Sequence, residues 1–378
     1  MATEAVLPRI TPKAEEPSTV KLLTVRQLMW LKFTRSRPAV YSGLFLILLY
    51  FSALFAQFIA PYGVRTTHAE YVGARPNSFH LWEANGQFHG RPFVYAMQPS
   101  VDPKTFTKIY KPLTDKIYPV RFFAKGEPYK LWGLIPTDRH LFQVDAPAKL
   151  FVLGTDSQGR DLFSRIFFGA QVSLTVGLIG VVLSLVIGSF AGIVGGYYGG
   201  VVDNILQRAI EVLLAFPQIP LWLALAAALP PNWSSITVYF GITIVLSIVN
   251  WGGLARQMRA KVLALRDRDY VTAARYANCS DMRIITRHLF PNTISHVVVI
   301  ATLSIPNMIL GETALSFLGL GIRPPMTSWG VLLSEAQHVR VLLQQPWLIT
   351  PALFVIATVI AFNFLGDGLR DAADPFAE

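Results

Sequence analysis

Six long apolar segments constrain this chain more than any other feature of its sequence. They lie at residues 40–60, 172–195, 212–229, 236–254, 294–317 and 347–365. A bilayer core about 30 Å thick is crossed by roughly 20 apolar residues in an α-helix. Composition agrees, because 52% of the 378 residues are hydrophobic and 15% are charged, whereas soluble domains carry about 25% charged residues. We therefore predict an all-α, polytopic membrane protein with six transmembrane helices.

The distribution of basic residues predicts how these helices are oriented. Short loops rich in Lys and Arg face the cytoplasm. Eight such residues lie between the fourth and fifth segments, whereas residues 230–235 hold none, and Lys32, Arg35 and Arg37 precede the first segment. This predicts a cytoplasmic loop at 266–292, two cytoplasmic termini and an external segment at 61–150. The basic residues flank apolar segments, so we expect contacts with membrane lipid and no nucleic-acid partner.

The external segment at 61–150 is rich in Pro, Tyr, Phe and Trp, and two interpretations of it stay open. One is an ordered cap of mixed or irregular structure that lies on the helices, and the other is a tolerated loop insertion. Disulfides cannot decide between them, because Cys279 is the single cysteine of the chain. The same count excludes thiolate metal clusters such as structural zinc sites.

The polar segment at 266–292 has the pattern of two short helices joined by a sharp turn. Asp269 is a suitable N-cap for a helix over residues 270–277, and Ser280 for a second helix that runs to Leu289. Asn278 tolerates the left-handed conformation that ends a helix. Pro291 suits the first turn of the fifth apolar segment. Movement of this segment would therefore pass directly into a transmembrane helix.

The first of these two helices carries small residues that would let it fit into a groove of another protein. Ala273 and Ala274 lie beside Tyr270 and Val271, and we expect these four to form one slim docking face. Polar anchors would come from Arg268, Arg275 and Arg283. The alternative is a solvated loop that binds nothing.

Polar and helix-breaking residues inside the apolar segments mark a candidate pathway or subunit interface. Pro217 and Pro306 interrupt two of the segments. The backbone groups that each proline leaves without a hydrogen bond need partners from neighbouring helices or from water in a cavity. Glu312 is costly in an apolar helix, so it marks a functional site by default and would face a cavity or a partner subunit. The alternative places Glu312 near the external interface, where water hydrates it.

The remaining charged cluster indicates a structural role and not a catalytic or metal-binding one. Asp156, Arg160, Asp161 and Arg165 lie at helix-compatible spacing without His or Cys, which indicates a capped, salt-bridged helix and not a metal site. His288 stands alone and is a weak ligand candidate. Nowhere does Lys directly follow Gly, so the chain has no Walker-type nucleotide loop. We predict no catalytic residues, no metal and no cofactor bound by this chain.

Five ordered motifs carry a resemblance to a known family. They are D-Y-V-T-A-A-R with H-L-F-P-N in 266–292, L-G-T-D-S-Q-G-R-D from Leu153, G-G-Y-Y-G-G from Gly195, E-T-A-L-S-F-L-G-L-G from Glu312, and F-N-F-L-G-D-G from Phe362. Together they make the chain similar to ATP-binding cassette importer permeases of the dipeptide and oligopeptide branch, in which the 266–292 stretch is the ATPase-coupling loop. Ala273, Ala274 and Pro291 occupy family positions. Thr272 replaces the usual Glu, and Asn278 replaces the usual Gly.

The resemblance implies a type I importer permease in a bacterial inner membrane, with peptide as the first choice of substrate and oligosaccharide or nickel as alternatives. Its implied partners are a homologous second permease, two cytoplasmic ATPases that bind ATP and Mg²⁺, and an external solute-binding protein. The rival class is a stand-alone secondary transporter, which predicts inverted repeats; a scaffold that transports nothing is a third reading. The domains are then a cytoplasmic tail (1–39), a first helix (40–60), the insert (61–150), a core permease domain (151–366) and a C-terminal tail (367–378).

Overall fold

The structure is a computed structural model that describes residues 24–83, 86–101, 103 and 108–373. Of the two predicted cytoplasmic tails, residues 1–23 and 374–378 lie outside these residues. The described chain begins with helix α1 (Val25–Arg35). Thr24 caps this helix through a reciprocal pair of hydrogen bonds with Gln27. Helices α2 (Arg37–Leu54) and α3 (Ala56–Ile59) follow. Gly368, close to the end of the described chain, packs against Ala39, so the two ends of the described chain lie side by side.

The remaining long helices form the bundle that the apolar segments predict. They are α4 (Leu162–Tyr198), α5 (Gly200–Ala215), α6 (Gln218–Ala227), α7 (Ser235–Leu265), α10 (Phe290–Phe317) and α13 (Thr350–Ala373). Five helices of the described chain are long and apolar enough to cross a membrane, and a sixth crossing results if the bent pair α5–α6 counts as one. The prediction of an all-α, polytopic membrane fold is therefore confirmed.

The third predicted span is wrong as a single straight helix. The sequence pattern placed it at 212–229, whereas α5 and α6 meet there at an angle of 89°. Phe216 precedes a proline, which disfavours the helical conformation, and its ψ of 139° is extended. Pro217 is also extended and becomes the N-cap of α6. Pro306 behaves differently, since α10 continues through it and buries it.

Close packing of α4 against α7 forms the centre of the bundle. Three glycines one turn apart, Gly188, Gly192 and Gly196, allow the α7 backbone to approach α4. A methyl group at position 188 would lie 2.8 Å from the carbonyl oxygen of Trp251, and one at position 192 would lie 2.7 Å from the Cβ of Met258. Small residues in this spacing are typical of membrane helix interfaces.

The insert is an ordered cap built from seven strands, which confirms the first interpretation of residues 61–150 within the described part. The strands are β1 (His80–Trp82), β2 (Phe88–Val101), β3 (Lys108–Pro119), β4 (Arg121–Phe122), β5 (Lys125–Leu131), β6 (Ile135–Arg139) and β7 (Phe142–Gln143). They pair antiparallel as a β1-β2-β3 sheet, a β4–β7 pair and a β5–β6 hairpin. Val94, Val120 and Leu150 are among the residues of its own small core.

The cap and two short helices lie at the end of the bundle where α4 begins. The backbone N–H of Tyr62 donates to Ser164 Oγ in the first turn of α4, at 3.2 Å. Helices α11 (Trp329–Ser334) and α12 (Val339–Gln344) lie at this end too, and the Trp329 indole donates to the Ile166 carbonyl at 3.2 Å. The opposite end carries α8 (Asp269–Tyr276) and α9 (Asp281–Ile284).

Candidate functional site

The polar segment at 266–292 rests on the end of the bundle where α4 and α7 finish. Its buried side chains share one apolar cluster with those helices, formed by Ile193, Tyr197, Met258, Val262, Val271, Ala274, Ile284 and Leu289. The underside of the segment is thus packed on the ends of α4 and α7. We call α8, α9 and the turn between them the coupling segment.

The predicted docking face of α8 is wrong in one respect. Val271 is 0% exposed and Ala274 is buried, whereas Tyr270 and Ala273 face outward. The split follows from helix geometry, because residues 271 and 274 lie three positions apart on the same side. Thr272 is half-buried, and Arg275 and Arg283 are exposed as predicted.

Two outward residues of the coupling segment were missed from the sequence. Tyr276 is 88% exposed and Met282 is 68% exposed. Tyr276 adds to the outward side of α8, whereas Met282 of α9 lines a groove with Phe190 of α4 and Phe290 of α10. Exposed Tyr and Met are typical of surfaces that bind other proteins. A signal was present, because both are large apolar residues within an otherwise polar stretch.

The turn between α8 and α9 has the predicted conformation, and of the two predicted N-caps Ser280 is confirmed whereas Asp269 is wrong. Asn278 has a φ of 57°, which confirms the left-handed turn. The backbone N–H of Cys279 closes the turn by donating to the Ala274 carbonyl at 3.1 Å. The N-cap of α8 is Arg268, and Asp269 instead occupies the first helical turn. Ser280 is the N-cap of α9 without a side-chain hydrogen bond.

The second helix does not end at Leu289 as predicted. A single π turn (Ile285–Leu289) joins α9 to α10, so that one apolar helical stretch runs from Asp281 to Phe317. Pro291 lies in the first turn of α10. His288 contributes a backbone carbonyl that accepts from Asn292 Nδ2 at 2.6 Å. The coupling segment is therefore continuous with a transmembrane helix.

Polar contacts hold the coupling segment, and the end of α7 that precedes it, against the last turn of α4. Tyr197 donates its hydroxyl hydrogen to Asp281 at 2.7 Å, and the Arg275 guanidinium lies 5.4 Å from the centre of the Tyr197 ring. Arg266 Nη1 donates to the Gly196 carbonyl at 3.2 Å. These contacts hold α8 and α9 against the end of the bundle.

Asp203 and Arg259 add an ion pair at the same end of the bundle. It joins the first turn of α5 to α7, with 2.5 Å between Arg259 Nη2 and Asp203 Oδ2. Arg208 pairs instead with Glu211 on the surface of α5, at 2.9 Å. The first pair ties the bent α5–α6 element to the helix that leads into the coupling segment.

Glu312 lies in neither of the two predicted environments. It is 0% exposed within α10, and it accepts hydrogen bonds from Ser173 Oγ at 2.9 Å and Ser316 Oγ at 2.6 Å. Both serines belong to the same chain, so Glu312 within this chain faces neither a cavity nor hydrating water. Ser173 Oγ in turn accepts from the Trp329 N–H at 3.2 Å, and Ser316 Oγ from the Ile322 N–H at 3.0 Å. The carboxyl group thus organises the connection between α10 and α11.

The charged cluster before α4 is an ion-pair network with a member that the sequence did not reveal. Glu335, which follows α11, accepts from Arg160 at 2.9 Å and from Arg165 at 2.8 Å. Asp156 binds the same two arginines. These charges form a buried structural junction between the start of α4 and α11.

Asp161 caps α4 beside that junction. It accepts from the backbone N–H of Ser164 at 2.8 Å. Burial raises the pKa of the Asp161 carboxyl to about 7, although its hydrogen bonds with Ser164 oppose the shift.

Among the described residues, no three His, Cys, Asp or Glu side chains are grouped as metal ligands.

A bundle of apolar helices with a polar segment packed on one end defines a polytopic membrane protein. The family described as binding-protein-dependent transport system inner membrane component matches residues 184–378. Residues 24–76 match the N-terminal TM domain of oligopeptide transport permease C. The chain belongs to the family of binding-protein-dependent inner-membrane permeases.

Three relatives illustrate the match. The oligopeptide transport system permease protein OppC of Haemophilus influenzae is 42% identical over 224 residues, which cover 59% of this chain and 69% of that protein. The glutathione transport system permease protein GsiD of Pectobacterium atrosepticum is 39% identical over 231 residues, 61% and 74% of the two chains. The dipeptide transport system permease protein DppC of Bacillus subtilis is 40% identical over 224 residues, 59% and 68%.

A solved structure of the MetNI methionine ABC transporter in an inward-facing conformation is also similar. The match has 17% identity and a TM-score of 0.40, and it covers 55% of this chain and 96% of that one.

Family membership identifies the general role of the chain. It is a multi-pass inner-membrane permease subunit of an ABC importer, a class that is not itself an ATPase. The family implies separate ATPase and substrate-binding components. Membership of this permease family argues against the two alternative classes, a stand-alone secondary transporter and a scaffold that transports nothing.

Proposed function

We propose that this chain and a homologous second permease together form the pathway by which di- and oligopeptides enter the cell. The relatives named for oligopeptide, dipeptide and glutathione transport support peptide as the substrate class. In this proposal two cytoplasmic ATPases, which carry ATP and Mg²⁺, dock on the coupling segments of the two permeases. A solute-binding protein delivers peptide at the end that carries the cap.

The same proposal places the coupling segment and both termini in the cytoplasm and the cap outside. Two observations support the placement of the coupling segment and the cap on opposite sides of the membrane. The coupling segment packs on the last turns of α4, near Tyr197, whereas the cap packs on its first turn, near Ser164. An α-helix of 37 residues spans about 55 Å, which separates the two surfaces by more than a bilayer core.

The observation that carries the coupling role is the division of the α8 surface. Its inner side chains, such as Val271, belong to the bundle core, whereas Ala273 and Tyr276 face outward. When the ATPases close on ATP, they would push or pull the outer face, and the buried inner face would pass that movement into α10. Hydrolysis would then return the subunit to its inward-facing form.

Substitution of Ala273 by arginine tests this role without disturbing the core, because residue 273 is exposed. An interface clash that costs about 1.4 kcal/mol weakens association tenfold, so we expect Ala273→Arg to lower ATPase recovery on co-purification and peptide uptake by about that factor or more. The control is Ala69→Arg, which changes another exposed alanine at the opposite end of the bundle. Normal ATPase recovery and uptake in Ala273→Arg would overturn the coupling role.

A second assay addresses the substrate class. Proteoliposomes with the chain, its permease partner, the ATPases and the binding protein are supplied with labelled di- and hexapeptides, an oligosaccharide or Ni²⁺. ATP-dependent uptake of the peptides alone is the expected result. Selective uptake of the oligosaccharide or of nickel would overturn the peptide assignment and leave the coupling role intact.

A further inference from the structure

The turn of the β5–β6 hairpin exposes a group of apolar side chains. Residues 131–135 read Leu-Trp-Gly-Leu-Ile. Leu134 is 79% exposed, and Trp132 and Ile135 are exposed as well. Charged residues are common at exposed hairpin turns in water, yet this turn contains none. A contiguous apolar surface of this kind indicates contact with a partner or a membrane.

The hairpin turn is attached to the end of the first membrane-spanning helix. The backbone N–H of Trp132 donates to Gln57 Oε1 at 2.9 Å. The Trp132 indole N–H donates to the Leu54 carbonyl, also at 2.9 Å. Leu54 is the last residue of α2, so its carbonyl has no partner within that helix. These bonds place the turn beside the last residue of α2, a helix long and apolar enough to cross a membrane.

A row of aromatic rings connects the outer surface of α2 to the hairpin. Phe51 and Phe55 lie with ring centres 4.6 Å apart, and Phe55 and Trp132 lie 5.2 Å apart. Phe51 is on the exposed side of α2, the side that also carries Ile47. The apolar surface of the hairpin is therefore continuous with the surface that a transmembrane helix presents to lipid.

The backbone holds two of the aromatic residues in an unusual conformation. Trp132 and Phe123 both have a φ of 53°, which bulky residues rarely adopt. Phe123 is exposed and its ring lies 5.9 Å from that of Phe58, just beyond α2. Strained conformations persist where surrounding contacts impose them and where the side-chain direction matters. Both residues are directed by contacts with the residues at the end of α2.

We propose that the β5–β6 turn, from Trp132 to Ile135, is a membrane anchor that inserts between lipid headgroups on the cap side of the bilayer. Tryptophan favours this depth, because its ring is amphipathic. Lys130 lies directly before the apolar run, where its long side chain can reach a lipid phosphate. The lipid anchor gives the cap its own contact with the bilayer, next to the end of α2.

The experiment measures the environment of Leu134 in the full chain, purified with the subunits that accompany it and placed in phosphatidylcholine nanodiscs. Cys279 is the single cysteine, so Cys279→Ser gives a background in which Leu134→Cys carries one bimane fluorophore. Quenching by brominated lipid and by aqueous iodide is then recorded. Ile47→Cys on α2 is the lipid reference, and Leu113→Cys, an exposed leucine between Lys111 and Lys116 of β3, is the aqueous reference.

A lipid anchor predicts that brominated lipid quenches the label at position 134 to at least about half the extent seen at position 47. Iodide should quench it about threefold less than at position 113. Iodide quenching equal to that at position 113 would show that the turn lies in water and would overturn the proposal. Protection from both quenchers would show that a protein covers the turn, which overturns it equally. The result does not depend on the substrate that the importer carries.

Discussion

The buried carboxyl of Glu312 gives the sharpest test of how the bundle is held together. Glu312→Ala removes the acceptor of two buried hydroxyl groups, those of Ser173 and Ser316. A buried polar group left without a partner costs about 1–3 kcal/mol. The loss is therefore about 2–6 kcal/mol in the free energy of unfolding, before any cavity term is added. Glu312→Gln keeps one side-chain oxygen as an acceptor and should cost less, about 1–3 kcal/mol.

Thermal unfolding of the purified chain in nanodiscs measures this difference. At about 2 °C per kcal/mol, we expect the midpoint to fall by about 4–12 °C in Glu312→Ala and by clearly less in Glu312→Gln. Glu70→Ala is the control, because Glu70 is exposed, and its midpoint should stay within about 1 °C of the wild type. Hydrogen exchange adds a local measurement, since the Ile322 and Trp329 amides bind the affected serines. A Glu312→Ala midpoint equal to that of Glu70→Ala would refute the structural role.

Two further predictions concern helix packing and pH. Gly192→Ala should destabilise the chain by about 1–3 kcal/mol because its methyl group would overlap Ala255 and Met258, whereas Gly253→Ala meets nothing within 4 Å and should be neutral or stabilising; equal thermal midpoints would contradict this. Since burial raises the pKa of Asp161 to about 7, its contribution to stability is full below the unfolded pKa near 4 and is lost as the pH rises through 7. The thermal midpoint of the wild type should therefore fall more between pH 5 and pH 8 than that of Asp161→Asn. Equal falls in the two proteins would contradict a raised pKa of Asp161.

Local patterns of the sequence were sufficient for the long membrane helices other than the bent α5–α6 pair. Long apolar runs identified α4 and α7, since the thickness of the bilayer sets the length of the apolar helix that crosses it. Asn278 revealed the turn of the coupling segment because its short polar side chain tolerates the left-handed conformation. The division of α8 into a buried and an exposed side could also be predicted, because Val271 and Ala274 lie on the same side of any helix.

Features that depend on distant parts of the chain were not predictable in this way. Glu335 completes the network at Arg165 from 170 positions away, and nothing near Glu335 in sequence signals that contact. Glu312 drew attention as an intramembrane charge, but its serine partners depend on how α4 packs on α10. The 89° bend after Phe216 was missed because the apolar pattern is continuous there. A residue before proline disfavours the helical conformation, and at Phe216 this preference outweighs the pattern.

The π turn joins α9, the second helix of the coupling segment, and α10 into one continuous rod. The continuous stretch from Asp281 to Phe317 has 37 residues and a length of about 55 Å. If the stretch tilts as a rod about its coupling end, a rotation of about 5° displaces the far end by about 5 Å. Glu312 lies near that far end, beside the connection to α11. A small rotation imposed on one side of the membrane is thereby magnified into a side-chain-sized displacement on the other.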